Sequence, residues 1–206
     1  MPSASGREGD RVRVEASPGA DRSCQHLNLL LVRHPAPAAP IGLCYGRLDL
    51  PVQEGADVLR LAASLASRTI RRVWTSPAIR CRILADAIAC GCGTAAMANK
   101  RLQELDFGAW EGRPWSEVSR SELDRWAAAP LTFAPPGGET GAALVARVGR
   151  FCDHLRQTGE NAIVVTHGGP LRIMPALLRG EEPDLLAAAP PFGAVIALTL
   201  TTPPNR

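Results

Sequence analysis

The chain has 206 residues, 46% hydrophobic and 21% charged, with a formal net charge of +3. That length supports one α/β domain with a sizeable core, and so mild a charge lacks the clustered basic face of a nucleic-acid binder. No apolar stretch reaches the ~20 residues that a membrane-spanning helix needs, so neither nucleic acid nor a membrane is an expected partner. Residues 1–25 are rich in Ser, Gly, Arg and Asp and lack the apolar stretch of a secretory signal; they read as a disordered tail, leaving residues 26–206 as the domain. Six cysteines (Cys24, Cys44, Cys81, Cys90, Cys92 and Cys152) show no C-x-x-C spacing, and Cys90-Gly91-Cys92 alone is a weak metal signal. Three of them fall in apolar helical patterns, which points to reduced, mostly packed thiols in a cytoplasmic protein.

In chain order, Leu29-Leu30-Leu31-Val32 is an unbroken apolar run that reads as a strand buried on both faces of a parallel sheet. It delivers Arg33-His34 to its carboxyl end, where ligands bind in open α/β sheets. A Pro- and Ala-rich loop over residues 35–51 precedes a helix with the stripe Val58, Leu61, Ala62, Leu65. Val73-Trp74-Thr75 reads as a second strand. Ser76-Pro77 then opens a helix, with Ser as N-cap and Pro at the first helical position, carrying Ile79, Ile83, Leu84, Ala87 and Ile88. Residues 94–98 form a short strand leading into the polar stretch 102–108. Residues 116–129 look helical, with Trp115 and Trp126 suited to a lid or a core alike. Pro135-Pro136-Gly137-Gly138 is a firm break. The next helix shows Leu144, Val148, Phe151 and Leu155 on one face. Ala162-Ile163-Val164-Val165-Thr166 is a strand ending in His167-Gly168-Gly169; a helix opening at Pro170 and a strand over 194–200 complete the chain. The alternation implies right-handed crossovers and a single-domain three-layer α/β/α sandwich with a mostly parallel sheet.

A lone histidine after a strand is more often structural than catalytic. Here two of the four, His34 and His167, share that topological position, which favours function; His26 reads as a pre-strand residue and His154 as a solvated helix position. Arg33 at the first strand's end, and Arg80 one turn into a helix, suit a phosphoryl group, which needs neutralising charge and fixed donors. By position alone Arg80 is as readily a surface residue, like Arg82. The helix after Gly168-Gly169 adds free N–H groups at a positive dipole end. An imidazole attacks phosphorus only when neutral, and nearby arginines keep it so. The departing alkoxide needs a proton; Glu104, Asp106 and Glu111 lie in one stretch, and composition does not choose among them.

Five segments occur in a set order: Arg33-His34; Ser76-Pro77-Ala78-Ile79-Arg80; Leu102-Gln103-Glu104 with Asp106-Phe107-Gly108-Ala109-Trp110-Glu111-Gly112; Pro136-Gly137-Gly138-Glu139-Thr140; and His167-Gly168-Gly169. This order resembles the histidine phosphatase superfamily, also called phosphoglycerate mutase-like, over residues 27–200. Within it, Cys44-Tyr45-Gly46-Arg47-Leu48-Asp49-Leu50-Pro51 and the stretch 106–112 look most like the α-ribazole phosphatase branch. The resemblance implies a phosphoglycerate mutase-like fold and a metal-independent phosphomonoesterase without a cofactor. It implies His34 as the nucleophile that becomes phosphohistidine, Arg33, Arg80 and His167 as phosphoryl ligands, and Glu104 as acid and then base. The implied partner is a small phosphomonoester, α-ribazole 5′-phosphate of cobalamin biosynthesis, and a homodimer is compatible with it. Alternatives are a phosphatase for another sugar phosphate or for phosphohistidine proteins, and a non-catalytic phosphate-ligand binder. The family usually has Gly after Arg-His; Pro35 stands there, removing a backbone N–H and restraining His34 toward an extended backbone. The loop 36–43 lacks the Glu-Thr and Asn of many members, which argues against mutase activity.

Overall fold

A computed structural model describes residues 25–202 apart from 68 and 71. Strand β1 (Gln25–Arg33) pairs in parallel with β4 (Ala162–Thr166), which pairs in parallel with β2 (Arg72–Thr75), and β2 with β3 (Ala96–Ala98). The last strand, β5 (Val195–Thr202), runs antiparallel along the other edge of β1, giving the order β3-β2-β4-β1-β5. The fold is thus α/β with a mostly parallel sheet, as its alternating elements predict. All five residues of β4 are buried, as befits a central strand covered on both faces.

The alternation of side chains sorts the core into two layers. Leu27, Leu29, Leu31 and Val164 pack against α4 (Gly141–Thr158) and α5 (Gly168–Arg179), whose contribution includes Leu144, Val148, Phe151 and Leu171. Val32, Val73, Ile163 and Val165 face α1 (Val58–Leu65) and α2 (Ile79–Cys92). Each such fully buried side chain contributes about 1.5–3 kcal/mol. A third cluster, Cys44, Trp110 and Val118 with Phe107, Trp115, Trp126 and Phe133, lies off the sheet beneath α3 (Arg120–Ala128).

Several boundaries differ from the sequence reading. The expected tail, 1–25, falls outside the described residues except for its last, which opens β1. His26 therefore lies within the strand and not before it, because β5 keeps pairing as far as Gln25↔Thr202. The helix expected over 116–129 is a 3₁₀ turn (Trp115–Glu117) and then α3, divided by extended Val118, whose side chain is buried in the tryptophan cluster. Helix α2 begins at Ile79 with Ala78 as N-cap, not at Ser76-Pro77. Helix α5 begins at Gly168, two residues before Pro170, so Pro170 occupies a first-turn position where its missing N–H costs nothing. His154 is half-buried, edge-on to Trp74 at 5.3 Å between ring centres, and not a freely solvated helix residue.

Candidate active site

The parallel topology brings the ends of β1 and β4 side by side, with Arg33 opposite Thr166 in register. His34 and His167, the next residues on each strand, meet edge-to-face with ring centres 5.1 Å apart. Both are about 1% exposed, and Arg80 is fully buried beside them. Sequence position left Arg80 open between site and surface; the fold places it in the site.

The hydrogen bonds fix the tautomers. His34 Nδ1 lies 2.6 Å from the Pro35 carbonyl, which can only accept, so Nδ1 carries the proton. His34 Nε2 has no partner among the described residues and presents a bare lone pair. Pro35 thus meets the histidine through its carbonyl, a contact that needs no N–H at this position. Burial, and secondarily Arg80 and Arg33, lower the His34 pKa to about 3, so the ring is neutral at physiological pH. His167 is lowered well below its usual value, first by burial and then by Arg80. Its Nδ1 accepts from Arg80 Nη2 at 3.2 Å, which leaves Nε2–H to donate to Ser76 Oγ at 2.7 Å. Ser76 Oγ is shared between His167 and, at 3.4 Å, the N–H of Ala78, one residue short of the helix; it caps none of the N–H groups within α2, which starts late and without a side-chain cap.

Arg80 also donates to the carbonyls of Leu48 and Gly46, both at 2.8 Å, while its buried Nε–H has no acceptor. Gly46 is required there: a Cβ would meet the Leu105 carbonyl and Glu111. Arg33 donates through Nη1 to the Pro190 carbonyl, lies 4.0 Å over the Phe192 ring, and likewise has an unpartnered buried Nε–H. Two guanidiniums with spare buried donors flank one bare imidazole nitrogen.

The three carboxylates now separate. Glu111 accepts from the backbone N–H groups of Arg47, Leu48 and Phe107, tying the loop of residue 46 to that of residue 107. Asp106 pairs with Arg47 at 3.1 Å and accepts from Gly108 N–H. Glu104 alone turns to the histidines' side, accepting from Gly169 N–H at 3.0 Å in the first turn of α5. It borders two hollows. One, of about 200 Å³, is lined by Arg33, Arg172 and Gly168 with Phe107, Trp115 and Trp126. The other, of about 170 Å³, is lined by Gly46, Arg47, Gln103 and His167.

Four residues of the site escaped the sequence reading as functional. Arg147, immediately before Val148, sends its guanidinium into the loop carbonyls of Arg101, Gln103 and Glu104 at 2.6–2.9 Å and to Glu139 at 2.7 Å. Tyr45 has its ring 5.5 Å from the Arg80 guanidinium carbon. Phe192 packs on both Arg33 and His34. Arg172 interrupts the apolar run Leu171 to Met174, the one sequence signal that could have singled it out. Among the described residues no group of three or more His, Cys, Asp or Glu comes together as a metal site, and no helix is long and apolar enough to cross a membrane.

Residues 29–199 match the histidine phosphatase superfamily (branch 1). Phosphoserine phosphatase 1 of Hydrogenobacter thermophilus is 30% identical over 164 residues, covering 76% of this chain and 78% of that protein. A phosphoglycerate mutase structure from Thermus thermophilus shares 30% identity at a TM-score of 0.65, covering 84% of this chain and 92% of that one. The α-ribazole phosphatase of Shigella flexneri, at 22% identity and TM-score 0.75 over 87% of this chain and 96% of its own, shares the fold. The chain belongs to the histidine phosphatase superfamily and is a phosphomonoesterase of that family. Its relatives are mixed in what their names say they act on, and no single branch stands apart.

Proposed function

We propose that this enzyme hydrolyses a small phosphorylated metabolite through a phosphohistidine on His34, without a metal. The observation that carries the reading is the bare Nε2 of a neutral, buried His34 set between two guanidiniums with spare donors. In the first step Nε2 forms a bond to phosphorus and the bond from phosphorus to the ester oxygen breaks. Arg33 and Arg80 neutralise the phosphoryl oxygens, and a proton passes from the Glu104 carboxyl to the leaving oxygen. His167 joins as a phosphoryl ligand by releasing Ser76. In the second step ionised Glu104 takes a proton from water, the water oxygen bonds to phosphorus, and the bond from phosphorus to Nε2 breaks. Phosphate leaves and His34 returns to its neutral form.

Two substrate readings have support. α-Ribazole 5′-phosphate is favoured by the motifs at residues 44–51 and 106–112 and by the aromatic wall of the larger hollow, on which a benzimidazole could lie. A phosphorylated hydroxy acid such as phosphoserine is favoured by the Hydrogenobacter relative and by the extra cation, Arg172, in that hollow. Free buried thiols at Cys44, Cys81 and Cys152 support a reducing, cytoplasmic setting. The mechanism is tested by rapid quench with labelled substrate. Acid-labile, alkali-stable phosphate should appear on His34, and His34→Ala should abolish turnover with the fold intact. Turnover near the wild-type rate in that variant would overturn the covalent route, and activity lost in EDTA and restored by Mg²⁺ or Zn²⁺ would overturn metal independence.

A further inference from the structure

We propose that Arg172 is a specificity-determining residue that binds an anionic group on the leaving alcohol, so that the preferred substrates carry a second negative charge on an apolar body. The proposal rests on the phosphatase reading above and selects between its two substrate readings.

Arg172 sits five residues after His167, on the face of α5 that lines the 200 Å³ hollow. Its Nη1 donates to the Leu185 carbonyl at 2.7 Å. Its Nε–H is buried without an acceptor, and among the described residues no carboxylate pairs with it. Nη2 makes no hydrogen bond among the described residues and is not one of the buried unpartnered atoms, so the guanidinium is only partly matched by protein acceptors and keeps an accessible donor for an anion. Arg33 lines the same hollow, and the two cations act on one another. Arg33 belongs to the phosphoryl end beside His34. Arg172 is therefore a second cation of the hollow that Arg33 and Glu104 also line.

The rest of the hollow restricts what lies between the two cations. Its walls are Leu105, Phe107, Trp115, Trp126, Leu144 and Leu185, and among the described residues its charged side chains are Arg33, Glu104 and Arg172. A polyhydroxylated sugar would lose its water there with few groups to replace it. An apolar or aromatic body gains from the same walls. A carboxylate and a second phosphoryl group offer the guanidinium the same chemistry, and the test separates them.

The test compares aryl substrates in the intact enzyme: 4-carboxyphenyl phosphate, its uncharged carboxamide, and hydroquinone bisphosphate. The wild type should prefer an anionic member over the carboxamide by about 10- to 100-fold in kcat/KM, the range of a charged hydrogen bond. Whichever anion is favoured identifies the source. In Arg172→Gln that ratio should fall toward one, and Arg172→Lys should restore part of it, with thermal melting showing that each variant is folded. A wild-type ratio near one, or a ratio kept in Arg172→Gln, overturns the subsite while leaving the phosphatase intact. If Arg172→Gln does not fold, the wild-type ratio and Arg172→Lys decide. No hydrolysis of any aryl phosphate, p-nitrophenyl phosphate included, overturns the phosphatase reading and the subsite with it.

Discussion

Glu104 is favoured over Asp106 and Glu111 as the proposed acid by what those two are already doing. Those two accept from loop N–H groups and from Arg47, so that each is committed to holding backbone segments together. Glu104 is held only from the side of α5 and its own neighbour Leu105, with its carboxylate bordering both hollows. If it protonates the leaving oxygen, Glu104→Gln should lose about 10²–10⁴-fold on alkyl phosphates, whose alkoxides cannot depart unprotonated. Phosphoenzyme formation from p-nitrophenyl phosphate, read in a pre-steady-state burst, should lose far less, because nitrophenolate needs no proton. Equal losses on both substrates, or a larger contrast in Asp106→Asn, would assign the proton to another group. This choice was not legible in the residues themselves. Three carboxylates in one short stretch are equivalent until the fold shows which of them the backbone has taken, and only the family resemblance favoured Glu104 beforehand.

The elements carry the site by their ends. Strand β1 and strand β4 could be placed from their apolar runs, and with them His34 and His167, because a buried parallel strand announces itself locally. Helix starts were less legible, since the residues that ought to cap them serve the site. Ser76 looks like an N-cap in sequence and binds His167 in the fold. Gly168 and Gly169, expected to precede a helix opening at Pro170, are the first turn of α5. The absence of a side chain at Gly169 has a specific purpose: a Cβ there would collide with the Glu104 carboxylate. The colliding atom is the far end of a flexible side chain, so Gly169→Ala should fold, with alanine the better helix former. The expected outcome is a melting temperature at or above that of the wild type and a loss of roughly tenfold or more on alkyl phosphates, spared on p-nitrophenyl phosphate burst kinetics, the signature of a displaced acid. Full alkyl phosphatase activity in Gly169→Ala would show that the contact of Glu104 with α5 is incidental. Arg147 shows the limit of periodicity: only the tertiary fold reveals that it holds the 101–104 loop by three carbonyls.

Across the whole molecule, the same burial that readies His34 makes stability depend on pH. The α/β class and the strand-end positions of His34 and His167 follow from hydrophobic pattern, which is why they are legible in the sequence. The protonation state of a histidine is not, because it depends on how completely neighbours from β4, α2 and the segment before β5 exclude water. His34 has its pKa lowered from 6.5 to about 3, mainly by burial, and Arg80 and Arg33 add to the shift; the Pro35 carbonyl opposes it. His167, which faces it, is shifted in the same direction. Between pH 6.5 and 3 the unfolded chain therefore binds protons at these positions that the folded chain does not. The contribution of the neutral rings is fully present above about 6.5 and is lost as pH falls toward 3. Carboxylates add their own loss below pH about 4, so the informative window is roughly pH 6.5 to 4.5. Urea midpoints measured across it should fall with pH in the wild type, and fall less steeply in His34→Ala, which removes one of the two depressed rings while leaving the carboxylates unchanged. The substitution also opens a cavity, which shifts the whole curve downward without altering its slope. Parallel curves for wild type and His34→Ala over that window would mean that His34 is no more reluctant to take a proton when folded than when unfolded, and a neutral nucleophile at acid pH would have to be given up.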